Sequence, residues 1–192
     1  MKLEDFYLDS TKKLFLYYKT LGERAIGQLE PDQVFATPDP DTINSIAVIV
    51  KHLHGNMLSR WTDFLTTDGE KEWRNRDGEF EDTFASLEEV MQKWNEGWEC
   101  LFNALENLRP EQLTDIIYIR NEGHTVMEAI NRQLAHYPMH VGQIIFYAKQ
   151  LKKGSWDSLS IPKGKSGTYN SEKFSAQKSI KNFTDDELKK FK

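Results

Sequence analysis

The stretch Thr125-Val-Met-Glu-Ala-Ile-Asn-Arg-Gln-Leu-Ala-His-Tyr-Pro-Met-His-Val-Gly-Gln-Ile-Ile-Phe-Tyr-Ala-Lys-Gln-Leu-Lys152 decides the fold. At about 100° per residue, Val126, Ile130, Leu134, Tyr137, Val141, Ile144, Ile145 and Ala148 fall on one apolar arc, the pattern of a long helix with one face in a core. Thr125 with Glu128 three residues later is an N-terminal capping signature, and Gly154 stops the helix. His136 and His140 lie together along the edge of the arc. Four residues apart on a helix, their imidazoles project from one face about a turn apart, close enough to bind one ion. Pro138 between them removes a backbone donor to residue 134, so a kink or bulge is expected there.

Three further segments carry helical periodicity. The first runs from about Leu3 to Leu29, with Phe6, Leu14, Tyr17, Leu21 and Ala25 at spacings of three and four; Pro31, Pro38 and Pro40 close it. The second opens at Asp39-Pro40-Asp41-Thr42, where acids and a proline suit a helix N-terminus, and runs to about Leu65. The third starts near Ser86, with Glu89 as its reciprocal capping partner, continues through Val90, Trp94, Trp98, Leu101 and Leu105, and ends before Pro110. Asp68 to Phe80 is a highly charged connector with two Asp-Gly pairs, longer than a turn between helices requires, which suggests packing over a helix end or a role at a site. Thr114 to Arg120 is β-branched and aromatic, and Asn121-Glu-Gly123 follows as a turn, so a short extended segment or hairpin is expected before the fourth helix. The architecture is all-α: a helical domain over residues 1–152 and an extended basic C-terminal arm over 153–192, partly packed on that domain.

The chain has 192 residues, 39% hydrophobic and 29% charged, enough for one domain with a real core. Its net charge of −5 disfavours a general nucleic-acid footprint. From Lys153 onward nine lysines face five acids, so the arm carries +4 and the preceding body −9. The longest wholly apolar runs, Ile46 to Val50 and Ile144 to Ala148, fall far short of the ~20 residues that cross a bilayer, and membrane insertion is not expected. The N-terminal residues lack an apolar signal core, and the single Cys100 has no disulfide partner, so the expected location is cytoplasmic and the sequon at Asn182 has no use. Cys100 lacks a neighbouring cationic run and reads as a buried small hydrophobe. Gly164-Lys165-Ser166 resembles the end of a phosphate-binding loop, but Leu159 stands where that loop needs glycine and no strand precedes it; the nucleotide reading is rejected.

A metal site needs a third ligand from another helix, and Lys51-His-Leu-His54 in the second helix is the only other histidine cluster. Periodicity favours His54, nearer the arc of Ile46, Ile49, Val50, Leu53, Met57 and Trp61. His52 belongs to a small polar face with Gly55, Asn56 and Ser59, as a pocket wall would. The charged residues Arg60, Asp63, Arg74, Arg76 and Asp77 suit either an anionic substrate or a solvated network.

The segments His52 to Trp61, Asp68 to Asp77, and His136-x3-His140-Val-Gly-Gln-Ile144 together resemble the DinB/YfiT-like superfamily of metalloenzymes, and more closely a branch of bacterial proteins of unknown function. The resemblance covers most of residues 1–170. It implies an up-down-down-up four-helix bundle, often a homodimer, with three histidines holding a divalent metal. Matched by motif, the ligands fall on His52, His136 and His140, leaving His54, Asn56, Arg60 and Gln143 to support the ligands or meet the substrate. Zinc suits three nitrogens best, with nickel or iron as alternatives. Relatives with known chemistry include thiol-dependent S-transferases and a maleylpyruvate isomerase, which use low-molecular-weight thiols such as bacillithiol or mycothiol. The leading expectation is therefore a metal-dependent enzyme, possible activities including thiol transfer to a small electrophile, hydrolysis and isomerisation. The alternatives are a non-catalytic, metal-stabilised dimer that binds a ligand or serves in a stress response, and a purely structural dimer. The 11 Phe, 7 Tyr and 5 Trp also favour a homodimer, since aromatics are enriched at interfaces.

Overall fold

The computed structural model describes residues 2–39 and 41–189. Helix α1 spans Leu3–Ile26, α2 Ile46–Trp61, α3 Leu87–Glu106 and α4 Val126–Leu151; a hairpin of β1 (Ile116–Ile119) and β2 (Glu122–Thr125) precedes α4, and two short helices follow, α5 (Ser166–Ser175) and α6 (Phe183–Lys189). The chain is thus mostly helical, with six α-helices and one two-stranded sheet among the described residues.

The four long helices share one core. Helix α2 packs chiefly along α3 and α1 along α4, with lesser contact between α2 and α4 and between α1 and α3. Phe15, Leu53, Met57, Trp94, Trp98, Ile130, Tyr137 and Val141 are all but fully buried within it. The apolar arcs of α2 and α4 face inward as the periodicity requires: Ile46, Val50, Leu53 and Met57 on α2 and Val126, Ile130, Val141, Ile144 and Ala148 on α4 are buried. Gly97 brings α3 close to α2, since a Cβ there would stand 3.2 Å from the His54 Cα.

Several expected boundaries shift for identifiable reasons. Helix α2 begins at Ile46, not near Asp39, because the Ser45 hydroxyl accepts from the Val48 N–H and is the working cap. Asp39 instead holds a turn, its side chain accepting from the Thr42 hydroxyl and its carbonyl from the Ile43 N–H; Pro40 lies outside the described residues. At α3 the Ser86 hydroxyl accepts from the Glu89 N–H, but the Glu89 carboxylate reaches back one residue further, to the Ala85 N–H. Thr125 and Glu128 form the expected capping box of α4. The hairpin turns on Arg120 and Asn121, at φ 57° and 62°, rather than on Asn121 to Gly123, and Ile119 pairs with Glu122. A two-residue turn with both φ positive matches the twist of paired strands.

The C-terminal segment is not simply extended. Helix α6 is capped at Asn182, whose side-chain oxygen accepts from the Thr184 N–H, and carries Asp185 and Asp186 in its first turn. It docks on α1 through Lys13–Asp185, an edge contact between Tyr17 and Phe183, and a bond from Asn182 to Ser10.

The connector from Asp68 to Phe80 folds back over α2 and ends in a 3₁₀ turn, Asp77–Phe80. It is stitched to the hairpin. The Gly69 N–H donates to the Tyr118 carbonyl at 2.8 Å, and the Asp68 carboxylate accepts from the Arg120 and Asn121 N–H groups at 2.8 and 2.9 Å. No helix among the described residues is long and apolar enough to cross a membrane.

Candidate metal centre

Helix α4 presents His136 and His140, and the middle of α2 presents His52 opposite them. The His136 Nε2 lies 3.4 Å from that of His52 and 3.0 Å from that of His140, and one nitrogen from each of the three rings lies within 4.8 Å of the others. The helix runs unbroken through Pro138, so the four-residue spacing survives the proline.

The far side of each ring decides what the near side can do. The Nδ1 of His52 faces Glu79 Oε2 at 2.9 Å, that of His136 faces Gln133 Oε1 at 3.2 Å, and that of His140 faces Gln143 Oε1 at 2.8 Å. These oxygens accept only, so each neutral ring carries its proton on Nδ1 and donates it outward. Each Nε2 is then left with a bare lone pair turned toward the other two. Lone pairs 3.0–3.4 Å apart cannot hydrogen-bond to one another, and a cation between them resolves the repulsion. Ligand nitrogens at ~2.0–2.1 Å from a tetrahedral zinc stand ~3.3–3.4 Å apart, close to the spacing observed. The three histidines could therefore hold a metal ion.

Burial keeps the two α4 rings ready for one. Burial, reinforced by the neighbouring His140 and His52, pushes the His136 pKa down to about 4, and burial also lowers that of His140 against the hydrogen bond to Gln143. Burial would raise the Glu79 carboxyl, but hydrogen bonds from His52 and Arg74 outweigh it and hold the group below the usual carboxylate range. Glu79 reaches His52 because residue 55 is glycine: a Cβ there would stand 2.3 Å from Glu79 Oε1. Phe80 stacks on the His52 ring, with centroids 5.0 Å apart.

A cavity of about 250 Å³ opens beside the centre, with His52 and His136 in its wall. Asn56 lines it, held by a relay in which the Trp61 indole donates to the Tyr137 hydroxyl at 3.0 Å and that hydroxyl donates to Asn56 Oδ1 at 3.1 Å. Arg60, also on the wall, donates to the Gly69 carbonyl and to Glu70. Gln143 stands behind His140. His54 does not join the cluster: its Nε2 lies 3.2 Å from Glu96 Oε2, across toward α3, with burial lowering its pKa. Asp63 and Asp77 are exposed and do not line the cavity, whereas Arg74 and Arg76 do. Cys100 is half-buried against Thr62, and burial pushes its thiol up.

Sequence reasoning missed Glu79, Gln133, Arg120 and Arg132. Gln133 carried a signal, since it precedes His136 by three residues on one helix face just as Gln143 follows His140 by three. Glu79 carried none beyond the unusual length of its connector.

Fold and site together define a mostly helical protein with a three-histidine cluster able to hold a metal ion. Residues 2–165 match the family described as protein of unknown function DUF1572, and the chain belongs to that family. Neither the curated proteins nor the solved structures provide a match.

Proposed function

We propose that this protein is a divalent-metal enzyme that transfers a low-molecular-weight thiol to a small electrophile, with zinc held by His52, His136 and His140. One observation carries the reading: three imidazole Nε2 atoms converge while all three Nδ1 protons are donated outward to fixed acceptors. Three neutral nitrogens leave a coordination position open, and an ion bound there would acidify a thiol or water or polarise a carbonyl. The chain's own part is to hold the rings in one tautomer, through Glu79, Gln133 and Gln143, and to present a polar cavity at their side. With this reading go the up-down-down-up bundle of the DinB/YfiT superfamily for residues 1–152, a basic segment 153–192 that folds against it, and assembly as a homodimer. Helix α6 docked on α1 supports the second of these.

Metal analysis of dialysed protein tests the centre. Stoichiometric zinc, nickel or iron is expected, together with a metal-induced rise in melting temperature, because a ligand bound only by the native state stabilises it. His140→Ala should largely abolish that rise, and His124→Ala, on β2 away from the cluster, should keep it. Equal shifts in both variants, or no retained metal, would overturn the reading. Loss of free thiol with a panel of electrophiles tests the chemistry; metal-loaded protein that turns over none of them would instead be a metal-stabilised binding protein.

A further inference from the structure

The cavity wall holds five arginines, Arg60, Arg74, Arg76, Arg120 and Arg132, and no carboxylate. Two acids outside the wall serve three of them. Glu70 accepts from Arg60, Arg74 and Arg120, and Glu79 from Arg74. The Arg76 guanidinium stands over the Phe80 ring, 5.4 Å from the centroid, and neither its side chain nor that of Arg132 makes a hydrogen bond or ion pair among the described residues. The neutral polar groups point the same way. The Asn56 oxygen already accepts from the Tyr137 hydroxyl and the Gln133 oxygen from His136, so in each carboxamide the amino group is the part without a partner. Both side chains belong to residues more than nine-tenths buried, at 6% and 2% exposure, and neither amino group has an acceptor among the described residues. Apart from the His52 and His136 nitrogens turned to the metal centre, the free polar side-chain groups of the wall are donors, and a cleft of that kind with a surplus of positive charge is complementary to an anion.

We propose that this cavity binds a small oxyanion, the carboxylate or phosphate group of the substrate, through Arg76, Arg132 and the amino groups of Asn56 and Gln133. Guanidinium forks match the planar oxygens of carboxylate and phosphate in bidentate fashion. Arg60 and Arg74, tied to Glu70 and Glu79 and nearly fully buried, form the fixed positive floor. At about 250 Å³ the space is below the ~300–1,000 Å³ of sites for drug-sized ligands, so the anion belongs to a small metabolite. The inference gives the substrate class of the metal-enzyme reading and rests on that reading for the anion's role, though not for its binding.

The test is calorimetric titration of metal-free protein, stripped on a chelating resin, with inorganic phosphate and with succinate at constant ionic strength in chloride. Saturable binding of at least one is expected; tighter phosphate marks a phosphate ester as the source, and tighter succinate a carboxylate. The double variant Arg76→Ala/Arg132→Ala, both residues exposed and outside the core, should bind the anion at least about tenfold more weakly with unchanged zinc affinity. His140→Ala, whose ring is not in the wall, should lose zinc and keep the anion. Absence of saturable binding of either anion, or an unchanged affinity in the double variant, would overturn the proposal. Anion binding by a protein that takes up no zinc would sink the metal reading alone.

Discussion

Replacing Glu79 by glutamine separates the two jobs that this carboxylate performs. In the folded protein it receives three N–H bonds: from His52 Nδ1 at 2.9 Å, and from Arg74 Nε and Nη2 at 2.7 and 3.0 Å. Glutamine has nearly the same volume, so packing against Gly55 is conserved, but its amide offers one acceptor oxygen and a donor where a second acceptor is needed. Two effects follow. With the carboxylate gone, His52 loses its anionic acceptor and its tautomer is less fixed, and loss of such an outer partner lowers metal affinity ~10–100-fold, or ~1.4–2.7 kcal/mol. In metal-free protein Arg74, whose side chain is 2% exposed, loses a charged partner but retains Glu70 at 3.3 Å. The expected destabilisation is therefore ~2–3 kcal/mol, under the ~3–5 kcal/mol for a buried pair broken outright. For a chain of this length that is a fall in melting temperature of ~5–10 °C. Zinc affinity would be measured by competition with a chromophoric chelator, and stability by thermal unfolding after metal removal. Gln143→Ala is the companion variant: Gln143 is exposed and water can replace it at His140 Nδ1, so its effect on affinity should be smaller. If Glu79→Gln loses stability as expected yet binds zinc within threefold of the parent, Glu79 only anchors Arg74, and the argument from tautomers is wrong.

Gly55→Ala should act on the same contact from the other side: a Cβ there would collide with the Glu79 carboxylate and must shift that side chain from its place between His52 and Arg74, costing ~1–3 kcal/mol in denaturant unfolding, and an unchanged midpoint would refute the close approach. Tyr137→Phe removes a fully buried hydroxyl that links Trp61 to Asn56; a loss of ~1–3 kcal/mol is expected, together with weaker phosphate binding as the Asn56 amide is freed to turn, and phosphate affinity equal to the parent's would show that the relay does not orient it. Metal-free protein should also lose stability in mild acid. The His136 pKa, about 4 when folded, lies below the ~6.5 of an unfolded histidine, so the unfolded chain binds the proton first. Stability is complete above pH ~6.5 and falls toward pH 4, by ~1–2 kcal/mol for this ring after allowance for its partial solvent contact, and the downward shifts of His140 and His54 add in the same direction. Urea midpoints at pH 7.5 and 5 measure it; equal midpoints would contradict neutral rings at His136 and His140.

The parts of this structure that are legible in its sequence are those that hydropathy governs. Helix α4 announces itself because an arc of Val126, Ile130, Tyr137, Val141 and Ile144 has only one way to be buried. The start of α2 does not, because Asp39 and Thr42 serve a turn as readily as a helix N-terminus, and the choice falls to Ser45, whose competing signal is a single hydroxyl. Glycine misleads at the hairpin: Gly123 attracts the turn, yet Arg120 and Asn121 take the positive φ values, held by the Asp68 carboxylate from a distant segment.

The histidines show the limit most clearly. Periodicity favours His54 because it lies nearer the apolar arc, and it reads the face of His52, Gly55, Asn56 and Ser59 as no more than a small polar pocket wall. His52, Asn56 and Ser59 are 6%, 6% and 0% exposed. What covers them is a connector rich in charge, in which Glu79 is buried between His52 and Arg74, and Arg74 between Glu79 and Glu70. A hydropathy pattern registers burial against carbon and is blind to burial against paired ions. The helix face on which ring orientation, charge and cavity are set is therefore the polar one, where His52 stands with His136 and His140, while His54, the histidine that amphipathicity favours, turns toward Glu96.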